Sequence, residues 1–373
     1  MRRTRPMSNI WPLPKITFTA LNQVEEKRPV ALITSDAAWS QVSHLLDLPV
    51  VVQAEPIDTS DDLMDYLAQN LPSQAEVIYA VGNGIPVIAA KLVAHANQKP
   101  MVFIPLSLES DTLFESFAET LNDGLVKRIE TGAANEVILD WDVIQAAPPH
   151  ERGAAIVDIL AIVTALLDWR YAAKHNRTTE AQKFSAWGAG VAAGLASQAI
   201  KSAKDIGEGT VEGLRTLLDL LMVSVQLAHQ LGHDRHEEGT EHYFALSLKN
   251  QGSTVAHAEA VGPGILFAYA LHGQDPTPLR DALLNAGIRL DQIRTADAQL
   301  AVNDLPNFCV VNDLPYGIAH DIDPLSEKTH AAMVRAGLAS SSDTGDWSPP
   351  TAATAPEETA ENTPTKPNTN PAT

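Results

Sequence analysis

At 373 residues and 45% hydrophobic content, the chain can bury a full core and is long enough for two domains. Its formal net charge of −20 excludes long-range attraction to nucleic acid or an anionic membrane, and no run reaches the ~20 apolar residues of a spanning helix. The single cysteine, Cys309, excludes an internal disulfide and any Cys-based zinc site, so a cytoplasmic protein is expected.

Residues 1–28, punctuated by Pro6, Pro12 and Pro14, read as an irregular arm with a short edge strand around Ile16–Ala20. Arg2, Arg3 and Arg5 are followed by no apolar segment before Lys15, so no signal peptide is expected. From 29 to 145 short apolar runs alternate with helical stretches. Val30–Thr34, Val50–Gln53, Glu76–Val81 and Met101–Ile104 read as strands; Asp36–Leu46, Ser60–Asn70 and Pro86–Asn97 read as helices. This alternation predicts an α/β domain whose parallel sheet is covered on both faces.

After the break at Ala146-Ala-Pro148-Pro149 the pattern becomes helical, and 146–339 is expected to form an all-helical domain. Its segments are Ala154–His175, Glu180–Ala203, Thr210–Leu231, Glu241–Leu248, Ala256–His272 and Pro278–Ala286. From Ser340 the composition falls to Ser, Thr, Ala, Pro, Glu and Asn around Trp347, with a net charge of −4. Such a segment buries too little surface to offset its ordering entropy, so 340–373 is expected to be disordered.

The chemistry concentrates in a few places. Asp158 is the one charge in the fifteen-residue apolar stretch from Gly153 to Leu167, and an ionised carboxylate there needs compensation. Arg152 and Arg170 stand 6 and 12 residues away, so a pair within one helical turn does not provide it. His242 and His257 follow downstream; one carboxylate and two imidazoles can hold a divalent ion with a coordination position left open. His229, His233 and His236 form a rival ligand set, at spacings of 4 and 3.

In the α/β part, Gly82-Asn83-Gly84 follows a predicted strand, where two glycines let the backbone approach a pyrophosphate at a helix N-terminus. An ordinary tight turn is the plain alternative. Ser107 and Asp111 follow the next strand and could bond a nicotinamide amide, a ribose or a substrate hydroxyl; the alternative is a cap on a helix over Leu113–Leu121. Asp36, opening the first predicted helix, joins the cofactor-binding candidates.

These residues, in this order, resemble the glycerol-1-phosphate dehydrogenase branch of the superfamily containing glycerol dehydrogenase, iron-containing alcohol dehydrogenases and 3-dehydroquinate synthase. The resemblance runs from about 29 to 275. Its most specific pieces are Ala147-Pro148 through Asp168-Trp169, and His257-Ala-Glu259-Ala-Val261-Gly262-Pro-Gly264. It implies a dehydroquinate synthase-like fold, an α/β NAD- or NADP-binding part, and a helical part binding Zn²⁺ or Fe²⁺ in the cleft between. Carried over, the metal ligands are Asp158, His242 and His257, the nucleotide turn is Gly82 to Gly84, and Asp111 falls at the family's active-site aspartate.

The chain departs from that pattern where Asn83 replaces the middle glycine, Ile88 an aspartate, and Leu106 a threonine. The resemblance implies a metal-dependent NAD(P)-linked oxidoreductase acting on a small polyol or hydroxy-ketone. Asp111 would orient the substrate or relay a proton, with His233 or His236 as further candidates. Arg235 and Lys91 are the local cations that a phosphorylated small-molecule substrate would need. Two alternatives stay open: a relative that binds without turnover, and a sugar-phosphate cyclase like 3-dehydroquinate synthase. Homo-oligomerisation is a further expectation.

Overall fold

Five-residue runs such as Val77–Val81, with every residue almost wholly buried, can only be central strands covered on both faces. The computed structural model describes residues 12–122 and 124–340. The arm before residue 12 and the segment 341–373, expected to be irregular and disordered, lie outside the described residues.

Six strands form a wholly parallel sheet: β1 (Lys15–Phe18), β2 (Val30–Thr34), β3 (Val50–Ala54), β4 (Val77–Val81), β5 (Met101–Ile104) and β8 (Glu136–Leu139), in the order β1-β8-β5-β4-β2-β3. The four strands expected between 29 and 145 are present, and β1 takes the edge. The remaining two strands are β6 (Phe117–Asn122) and β7 (Leu125–Glu130), an antiparallel hairpin. Helices α1 (Asp36–Val42), α2 (Asp61–Gln69) and α3 (Ile85–Asn97) alternate with the early strands. From β2 the chain steps outward to β3, then returns to β4 on the other flank of β2. The carboxyl ends of β2 and β4 therefore flank a switch point, where open α/β sheets bind ligands.

The helix considered over Leu113–Leu121 does not form. A single 3₁₀ turn at Asp111–Leu113 passes directly into β6. Phe117 and Thr120 suit a strand, and Asn-Asp-Gly at 122–124 is a hairpin signal, with Gly124 at φ +76°.

The helical half follows α4 (Trp141–Ala146) and α5 (Pro149–Arg152). It comprises α6 (Ile156–Lys174), α7 (Ala186–Glu208), α8 (Val211–Leu231), α9 (Thr240–Asn250), α10 (His257–Leu271), α11 (Thr277–Asn285), α12 (Thr295–Val311) and α13 (Glu327–Ala336). Each expected helix is present within a few residues of its reading, except that 180–185 holds a 3₁₀ turn and α7 starts at Ala186 behind its Ser185 cap. Helix α6 is apolar all round because it is central, packed by α7, α8, α9 and α10. One buried cluster runs without a break from Ile33, Ile78 and Phe103 of the sheet to Leu160, Trp169 and Phe267 of the helices. A second, with Leu32, Tyr79 and Ile104, lies on the other face of the sheet under Val42 of α1. Among the described residues no helix is long and apolar enough to cross a membrane.

Candidate metal and nucleotide site

Asp158 lies in the first turn of α6, 7% exposed, and its compensation is supplied from two other helices. His257, the first residue of α10, places Nε2 2.7 Å from Asp158 Oδ1; His242 of α9 places Nε2 3.6 Å from the same oxygen. The three ligand atoms lie within 4.8 Å of one another. Burial alone would raise the Asp158 carboxyl, but the charges and hydrogen bonds of the two imidazoles outweigh it and hold it down to about 2. Burial opposes the charged form of His242, yet Asp158 and Glu241 together raise it well above the ordinary histidine range.

Glu241 directly precedes His242 and opens the helical reading Glu241–Leu248. It is fully buried and accepts bonds from Gly239 N–H at 2.6 Å and Thr164 Oγ1 at 2.7 Å. His242 Nδ1 lies 3.2 Å from it, which turns Nε2 towards Asp158. A carboxylate behind an imidazole fixes the tautomer and orientation that a metal ligand needs. The signal in the sequence is the acid directly before the histidine at a helix start, which spacing rules for ligands pass over.

Asp168, one residue before Trp169, anchors the chain that carries His242. Fully buried, it accepts from Thr240 N–H at 2.7 Å, Ile318 N–H at 2.9 Å and the His272 ring at 2.9 Å. A side chain at position 239 would start 2.7 Å from Asp168 Oδ2, so the entry to α9 passes through glycine. The donor set fits a divalent ion. One carboxylate oxygen and two imidazole nitrogens converge, the buried second carboxylate orients one of them, and three protein ligands leave a position open for substrate.

The rival histidines go elsewhere. Helix α8 ends at Leu231 and Gly232 turns the chain at φ +74°, so the 4-and-3 spacing never lies on one helix face. His229 meets Ser116, and His236 meets Ser224 and Glu237. His233 stands edge-on to Trp169, ring centroids 5.0 Å apart, with burial pushing it down to about 4. His233 is not among the residues whose ligand atoms converge, which are Asp158, His242 and His257.

Asp111 does reach them. Its backbone N–H donates to Asp158 Oδ2 at 3.3 Å, joining the loop after β5 to α6. Burial, then the charges of Glu115, Asp158, Glu237 and Glu238, raise its carboxyl well above the usual range. Burial likewise pushes Glu115 up to about 7 against the pull of Lys91 and Arg128. It takes Glu238 up to about 8 despite Arg128.

The glycine turn follows β4 at the switch point. Gly82 (φ +93°) and Gly84 (φ +69°) hold conformations that side chains rarely adopt. A Cβ on Gly82 would lie 2.6 Å from that of Ala38, whereas nothing approaches within 4 Å of one on Gly84. Space above Gly84 thus opens onto the first turn of α3, whose N–H groups lack intrahelical partners. Pro86 removes one of those donors. Asn83 Nδ2 donates to Ser107 Oγ at 2.6 Å and to Glu109 Oε1 at 3.1 Å, tying the turn to the loop after β5. Ser107 and Asn83 are therefore together, bonded to each other. Leu106 is buried in the second cluster, and Ile88 of α3 packs against the first. Asp36 is exposed at the start of α1, its N–H bonded to Glu55 Oε1 at 2.9 Å.

Known proteins resemble the chain in sequence and in fold. A glycerol-1-phosphate dehydrogenase [NAD(P)+] of Methanothrix thermoacetophila is 28% identical over 276 residues, 74% of this chain and 73% of its own. Another from Methanosarcina mazei is 27% identical over 68% of this chain and 71% of its own. The chain is similar in sequence to glycerol-1-phosphate dehydrogenases. Glycerol dehydrogenase from Schizosaccharomyces pombe superposes with a TM-score of 0.65 at 15% identity, covering 89% of this chain and 91% of that one. An iron-containing alcohol dehydrogenase from Corynebacterium glutamicum superposes at 0.60, also at 15% identity, over 89% and 99%. No family model matches the chain. The parallel sheet with a following helical half is thus the fold of these dehydrogenases, as the resemblance implied.

Proposed function

We propose that the protein is a metal-dependent NAD(P)-linked oxidoreductase acting on a small polyol or hydroxy-ketone. The observation that carries this reading is one continuous set of contacts. Asn83 of the glycine turn bonds Ser107, the loop carrying Ser107 continues to Asp111, and Asp111 bonds Asp158 of the ligand triad. The loop after β5 thus links the glycine turn to the triad, and the relatives in sequence carry NAD(P)+ in their names. A bound zinc or iron ion would supply Lewis acidity at a substrate oxygen, and a nicotinamide would supply the hydride acceptor.

The chain's own residues do the rest. Asp158, His242 and His257 would hold the ion, and Glu241 keeps His242 turned towards it. Gly84 and the first turn of α3 offer backbone donors to a pyrophosphate. Asp111, whose carboxyl burial and neighbouring acids raise above the usual range, would orient the substrate or relay a proton. A lone buried cysteine fits a reducing compartment, and the reading places the protein in the cytoplasm.

The test is NADH oxidation with dihydroxyacetone by purified protein, before and after chelation. Activity lost on chelation and restored by zinc or iron supports the reading; activity indifferent to chelation contradicts it. A relative that binds without turnover is the second reading, favoured by Asn83 filling the middle of the turn and by Leu106 in the core. Metal uptake without NADH binding would select it.

A further inference from the structure

Independently of the reaction it runs, we propose that the outer face of α7 docks a second copy of this chain, in an antiparallel pair centred on Gly194. Helix α7 packs on α6, α8 and α11, burying Ala189, Ala192, Ala196, Ala199, Ala203 and Ile206. Its other side is open. Trp187 is 58% exposed there, with Val191 and Ile200 also exposed, and among the described tryptophans only Trp187 is exposed. A tryptophan so placed is the residue type that most often anchors an interface.

Two glycines of the same face point outward to a partner. Glycine weakens an exposed helix relative to alanine, so its place there needs a reason. At Gly188 the fold supplies one, since a Cβ would start 2.9 Å from Leu231. At Gly190 and Gly194 it supplies none, because nothing lies within 4 Å of an added Cβ. A second helix lying across these two positions would supply it, the distance between packed helices being set by the side chains at their contact.

Charge selects the occupant. The chain carries −20, so two copies repel one another at long range. On α7 no charged residue stands between Lys183 and Lys201, and Glu180, Asp205 and Glu208 balance Lys183, Lys201 and Lys204. This face therefore adds no repulsion of its own. Pairing centred on Gly194 is also self-complementary. Lys201 of one copy falls opposite Trp187 of the other, where an ammonium can lie over the indole, and Lys183 falls opposite Asp205.

The 23 residues of α7 make a face about 35 Å long and about 10 Å wide, or about 350 Å². A standard interface takes about 800 Å² per copy. Exposed Val211 at the start of α8 and exposed Leu284 near the end of α11 extend the face beside the C-terminal end of α7, where Gly207 meets Asn285. The pair is accordingly one that forms at micromolar concentration and that dilution reverses.

The experiment is sedimentation equilibrium of the full chain across the micromolar range. The unaltered protein should rise from 40.0 kDa to twice that mass with concentration. Val191→Glu, which sets like charges against each other across the pair, should raise the dissociation constant about 100-fold at an unchanged melting temperature. A monomer at every concentration, or an association that Val191→Glu leaves intact, would overturn the inference. Gly194→Ala separates the interface from the fold. It should raise the melting temperature of dilute protein, because it improves the helix, and weaken association about tenfold. Association unchanged in Gly194→Ala would overturn the inference as well, whether or not Val191→Glu folds.

Discussion

The loop after β5 joins the ligand triad to the glycine turn, yet the two are built differently. Around Asp158 the buried charges are compensated: two imidazoles face the carboxylate, Glu241 stands behind one imidazole, and Asp168 gathers Thr240, Ile318 and His272. Around Gly82 to Gly84 the polar groups are bonded to one another, with Asn83 on Ser107 and Glu109. The first network is organised to receive an ion. The second must release Asn83 or fit a ligand around it. Charge explains the contrast, since a buried carboxylate without partners would unfold its surroundings, whereas a turn tolerates an amide in place of a glycine at little cost.

The largest effect should come from the triad. Asp158→Ala or His257→Ala should abolish stoichiometric metal by elemental analysis, and full metal retention by either would refute this ligand set. Next is the anchor. Asp168→Ala leaves three donors unanswered in a buried site and should cost about 3–5 kcal/mol in denaturant unfolding. A loss under 1 kcal/mol would show that these loops are held by something else. Glu241→Gln, which keeps the shape, should lower metal affinity about 10–100-fold with little change in melting temperature. Unchanged affinity would reduce Glu241 to a packing role.

Smaller effects test the periphery. His233 is pushed down to about 4 in the folded protein, against about 6.5 in an unfolded chain. The unfolded state therefore binds the extra proton first, and stability present above pH ~6.5 should fall as pH drops towards 4. His233→Gln should flatten that slope; an unchanged slope would assign it to other groups. Asn83→Gly should tighten NADH binding by a few-fold if the amide competes with the cofactor for the turn. Looser binding would mean that Asn83 belongs to the bound state.

Much of this was legible because it is periodic. Short apolar runs and the edge strand around Ile16–Ala20 account for five of the six parallel strands, and the charged interruption at Asp158 pointed to the ligand triad. What was not legible is set by distance along the chain. Nothing local tells that Glu241 bonds Thr164, or that Arg128 would cross to Asp234 and Glu238, since each partner lies 77 or more residues away. The helix considered at Leu113–Leu121 does not form, for a local reason. A capping pattern at Ser110-Asp111 competes with the strand preference of Phe117 and Thr120, and the hairpin with its buried Lys91 support prevails. The histidines at 229, 233 and 236 misled because a glycine ends the helix between the first and second.

The most direct test of the account is metal content and NADH titration on one purified sample of the unaltered protein. The account predicts about one equivalent of zinc or iron together with saturable NADH binding. A sample that takes up neither, after incubation with both metals, would contradict it and leave only the fold.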